Sequence, residues 1–208
     1  MTNLIIYCAD IGSVKRNNFG WARLSVSEET GGCSTGSDMA QLAKEIAGDL
    51  NAGNRVALGF ECPLFVPIAD NPIELTAPRL GEGNRPWSAG AGAASLATGL
   101  TQTFWLLDRV QSLLKHEVPC FLNWSQFKSA DKGLFLWEAF VSSDSKKNSH
   151  CDDAEAAALK FREGLEDPEA LNAITPKKVR SLLGAALIQS GWTADIGCLG
   201  KPCLVVRV

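Results

Sequence analysis

The sequence predicts an α/β domain built on a mixed central sheet flanked by helices, and three observations lead there. Brief, continuously apolar runs such as Leu4-Ile5-Ile6-Tyr7 suit strands covered on both faces, because a half-solvated strand alternates with polar residues. Between such runs lie segments with apolar residues at three- and four-residue steps, and strands alternating with helices imply an α/β layer architecture. The 208-residue length suits one domain at roughly 100 to 200 residues each.

Residues 3 to 9 form the first strand, which ends at Asp10-Ile11-Gly12-Ser13. Residues 19 to 27 alternate partially and return as its antiparallel partner, with a third strand near residues 28 to 35. Met39, Leu42, Ile46 and Leu50 recur at helical spacing up to Gly53, behind Ser37 or Asp38 as cap and an Asp38-x-x-Gln41 capping box. Residues 55 to 61 make another buried strand that ends in a carboxylate, stopped by Cys62-Pro63 because proline cannot donate to a central ladder.

The stretch 62–90 holds Pro63, Pro67, Pro72, Pro78 and Pro86, which predicts an irregular insertion that is either functional or mobile. Leu96, Leu100, Phe104, Leu107, Val110 and Leu114 then describe a long amphipathic helix over 91–115. Residues 120–124 and 134–141 are strand-like, separated by a polar loop with room for a helical turn. Asp152-Asp153 open a helix, Pro176 starts a last one that runs through Ser190, and residues 202–208 make a final strand.

Composition narrows the function classes. With 46% hydrophobic and 21% charged residues, the chain can bury a core along its length, which excludes a mainly disordered protein. No apolar run approaches the roughly 18 to 20 residues that span a bilayer, so no membrane partner is expected. Seven scattered cysteines without a C-x-x-C pair suit a reducing cytoplasm and no disulfide framework. The net charge of −3 supplies no global field for nucleic acid, so any such contact must be local.

The chemistry concentrates at strand ends. Asp10 and Glu61 each close an apolar strand, and functional groups in open α/β sheets collect at the carboxyl ends of strands. His150-Cys-Asp-Asp153 adds a histidine and an aspartate three apart on one face of a helical turn. Clustered carboxylates repel unless cations neutralise them, and hard oxygen ligands suit Mg²⁺ or Mn²⁺. Two such ions can activate water for phosphodiester hydrolysis while His150 ligates metal or relays a proton. Arg79, Arg85 and Trp87 in the insertion are candidates for holding a phosphate and stacking a base.

Cys8-Ala-Asp10-Ile-Gly12, Leu58-Gly-Phe-Glu61 and His150-Cys-Asp-Asp153-Ala154, in that order, resemble the ribonuclease-H-like superfamily in its Holliday-junction-resolvase-like branch. The closest likeness is to a family of predicted nucleases of this type, and it covers most of residues 3 to 162. The resemblance implies a three-layer fold over 1–208 and a metal-dependent nuclease that acts on a nucleic acid or nucleotide. It implies Asp10, Glu61 and Asp153 as ligands, with Glu138 and Asp152 as further candidates and His150 as catalytic assistant.

Plainer readings of the same residues exist. Asp10 before Gly12 can make a turn, Asp152 and Asp153 suit the positive end of a helix dipole, and Glu138 can be a buried carboxylate that needs a partner. Actin-like phosphoryl-transfer proteins also place an Asp-x-Gly turn after the first strand, but need a second lobe, which a homodimer would supply. An inactive binding or scaffold module on the same fold is the non-enzymatic alternative.

Overall fold

The computed structural model describes residues 3–27, 33–83, 86–141, 147–176 and 178–208. Among these, the central sheet is mixed. Strand β1 (Leu4–Asp10) pairs antiparallel with β2 (Gly20–Ser25), which pairs antiparallel with β3 (Ser34–Gly36). On its other side β1 pairs in parallel with β4 (Arg55–Phe60), and β4 with β7 (Gly133–Phe140). The far edge of β7 is shared: β6 (Cys120–Phe121) covers its first residues and β9 (Leu204–Arg207) its last, both in parallel. A separate two-stranded ribbon joins β5 (Phe65–Pro67) to β8 (Val179–Ser181).

Side-chain alternation divides the core into two layers. Ile5, Tyr7 and Ala9 of β1 join Val56, Leu58 and Phe60 of β4 on the face covered by α1 (Met39–Asn51), α2 (Gly90–Leu113) and α5 (Leu182–Gln189). Ile6 and Cys8 join Ala57, Phe135 and Trp137 on the opposite face, under α3 (Trp124–Lys128) and α4 (His150–Glu163). Burial on both faces is the physical reason these strands read as unbroken apolar runs. On the second face Trp137 stacks on Phe161 with ring centroids 4.6 Å apart, which seats α4 on the sheet.

Several elements depart from the expectations. Of the third strand near 28–35, residues 28–32 lie outside the described residues, and β3 occupies 34–36. Asp38 caps α1 by accepting from the amides of Ala40 and Gln41, but Gln41 bonds Glu45 one turn on, so the reciprocal half of the capping box is missing. The strand expected over 120–124 stops at Phe121 because Asn123 accepts from the Gln126 amide and starts α3. The last helix begins at Leu182 and not at Pro176, since residues 179–181 are drawn into the ribbon with β5 and Ser181 provides the cap. Apart from β5 and a 3₁₀ turn at Pro72–Glu74, the described part of the 62–90 insertion is irregular.

Candidate functional site

The parity of the strands decides which carboxylates meet. Asp10 follows Ile6 and Cys8 on the α4 side of β1. Glu61 continues the Ala57–Gly59 side of β4, its amide donating to the Ala9 carbonyl at 2.8 Å and so extending the ladder by one residue. Both acids therefore stand at the carboxyl end of the sheet on the face where α4 begins. Asp10 lies opposite Gly20 in the register of β1 with β2. A Cβ at Gly20 would fall 2.4 Å from the His150 carbonyl carbon, so only glycine there lets the start of α4 come this close.

Ser149 caps α4 by accepting from the Asp152 amide, and Asp153 follows on the inner side of the first turn, where it is buried. One carboxylate oxygen from each of Asp10, Glu61 and Asp153 lies within 4.8 Å of the others. His150 Nδ1 hydrogen-bonds Asp10 Oδ2, and Asp153 Oδ1 accepts from the Lys147 amide at 2.7 Å. Burial pushes the neighbouring Cys8 thiol well above its ordinary range, and the negative charges of Glu61 and Asp10 add to the effect. This thiol is a packed, protonated side chain and no nucleophile.

Glu138 does not join the cluster. It pairs in register with Phe60, the residue before Glu61, so it projects from the other face of the sheet. There it meets Arg79 in a two-pronged ion pair, with Nη1 to Oε2 at 2.9 Å and Nη2 to Oε1 at 2.6 Å, and Oε2 also accepts from the Leu64 amide. Arg79 Nε binds Glu82 at 2.8 Å. Burial alone would lower the Arg79 pKa; the charges and hydrogen bonds of Glu138 and Glu82 outweigh it, leaving the guanidinium more firmly protonated than usual.

The candidate residues thus divide. Asp10, Glu61, His150 and Asp153 come together; Asp152 is exposed and stands apart from the three converging carboxylates, so its place is that of an acid near a helix N-terminus. Arg79, expected to hold phosphate, instead has its donors committed to two carboxylates and the Phe65 carbonyl. Trp87 lines the cleft, with its indole N–H bonded to the Ala77 carbonyl. Arg85 lies outside the described residues. Sequence reasoning missed Glu82, for which the only signal was its three-residue spacing from Arg79, and Ser95, whose hydroxyl binds the Glu61 carbonyl at 3.0 Å.

Above the acids opens a cleft of about 460 Å³, walled by the end of β7, the first turns of α2 and the loop that carries Trp87. Three carboxylates with an adjacent imidazole form a hard, oxygen-rich donor set of the kind that can hold a metal ion. Comparisons with protein-family models, curated proteins and solved structures return no match. Among the described residues, no helix is long and apolar enough to cross a membrane.

Proposed function

We propose that this protein is a divalent-metal-dependent phosphodiester hydrolase with a ribonuclease-H-like fold, acting on a nucleic acid or nucleotide. The observation that carries the reading is the convergence of Asp10, Glu61 and Asp153, remote in the chain, within 4.8 Å of one another, with Asp10 and Glu61 lining a cleft. Further support comes from a mixed sheet whose first strands are antiparallel and whose later ones are parallel, as the family resemblance implies.

Asp10, Glu61 and Asp153 would hold Mg²⁺ or Mn²⁺, whose chemistry is to acidify water and to neutralise charge on the departing oxygen. Asp10 fixes the His150 imidazole through Nδ1, which leaves Nε2 as the atom that takes or returns a proton. In the net reaction the water oxygen bonds to phosphorus, the bond from phosphorus to one ester oxygen breaks, and the water proton passes to that oxygen. The products are a phosphomonoester and an alcohol. In the test, Mn²⁺-dependent hydrolysis of a bis-aryl phosphodiester is expected to fall by roughly 100-fold or more in Asp10→Asn. An unchanged rate would remove Asp10 from the machinery and the reading with it.

A further inference from the structure

Resting on that reading, we propose that the cleft takes a single nucleotide unit, either a small free phosphodiester or the terminal nucleotide of a strand, and is not a groove along which a nucleic acid lies. Three observations point there. The first is size: about 460 Å³ falls within the range of roughly 300–1,000 Å³ that encloses one small organic ligand.

The second is how the walls are tied to the floor. Ser95 of α2 binds the Glu61 carbonyl, and Gln102 of the same helix binds the Gly12 carbonyl, so the helix is anchored to the ends of both acid-bearing strands. At Gly92 a Cβ would fall 2.3 Å from the Pro86 carbonyl oxygen, which brings the first turn of α2 directly against the loop that carries Trp87. That loop is held in turn by the Trp87 amide on Glu82 and the indole on Ala77. A fixed aromatic side chain in the lining gives a sequence-tolerant platform for one base.

The third is charge. Binding a long polyanion draws on several lysines and arginines that replace its counterions. Among the described residues that line the cleft, Arg79 carries the only guanidinium or ammonium group, and Glu138 and Glu82 already neutralise it. The first turns of α2 contribute alanine, glycine, serine and threonine instead.

The experiment compares Mn²⁺-dependent kcat/KM on a nucleoside 5′-aryl phosphodiester, an end-labelled single strand and a circular single strand. It is repeated in Ala94→Phe, which narrows the cleft at an exposed position of α2. Hydrolysis of the small diester, or release of mononucleotides from the labelled end, is expected, with a loss of roughly tenfold or more in Ala94→Phe and unaltered Mn²⁺ binding. Which substrate dominates distinguishes the free ester from the strand terminus. Internal cutting of the circle at a rate above either would overturn the single-nucleotide assignment while leaving the phosphodiesterase reading intact. Absence of hydrolysis on all three substrates would overturn both.

Discussion

The cleft carries two groups of acids that differ in what surrounds them. Glu82 and Glu138 close on Arg79, and all three side chains are only 1% exposed. Asp10, at the other group, is faced by His150, whose side chain is 32% exposed. In the sealed group, both carboxylates close on one guanidinium inside the protein, and hydrogen bonds to Nε, Nη1 and Nη2 fix the geometry. At the other group, three carboxylates crowd together beside an imidazole that is in part exposed to water. Glu138 and Asp10, each near the carboxyl end of a strand in one sheet, thus fall into different groups, and the face of the strand decides which.

The largest effect comes from breaking the sealed group. Glu138→Ala leaves both buried Nη groups of Arg79 without their carboxylate, with Glu82 holding only the Nε side, and a loss of about 3–5 kcal/mol in unfolding free energy is expected from denaturant titration. A loss under about 1 kcal/mol would mean that the pair behaves like a surface salt bridge, and the contrast between the two groups would fail.

A smaller effect sharpens the comparison through pH. Burial raises the Cys203 thiol well above its ordinary value of 9.0, reinforced by the charge of Glu138. Burial also raises Tyr7 above 10.0, with its hydrogen bond to Asp49 adding to the shift. Both groups keep their protons in the folded chain at a pH where the unfolded chain releases them. Their contribution is therefore intact below the unfolded value and lost as pH climbs past it. The slope is about 1.4 kcal/mol per pH unit for each group. The urea midpoint should fall as pH rises past 9.0, through the thiol, and more steeply past 10.0, where the tyrosine joins. A flat midpoint would show that these interior sites admit solvent.

The positions of the acids at strand ends were legible in the sequence because an apolar run that stops at a carboxylate marks both the strand and its exit; that Asp10 and Glu61 belong together rested on their joint order with the His150-Cys-Asp-Asp153 run. Asp153 was legible with His150 because helix spacing puts both on one side of a turn. Glu138 was not, although its alternation with Leu134 and Leu136 was visible. Which face that alternation served depends on the pairing of Phe60 with Glu138, a contact between strands distant in sequence. Its partner Arg79 lies 59 residues away in an irregular loop, where no periodicity predicts a neighbour. The late start of α5 was hidden for the same reason, since residues 179–181 are held by a ribbon partner more than a hundred residues upstream.

The central claim is that three particular carboxylates, and not the acidic neighbours beside them, form a cation site. Mn²⁺ titration followed by calorimetry tests it most directly in the unaltered protein, Asp153→Asn and Asp152→Asn. The expected result is binding in the unaltered chain, a loss of affinity of roughly tenfold or more in Asp153→Asn, and unchanged affinity in Asp152→Asn. Equal affinity in all three proteins, or no binding in any, would contradict it.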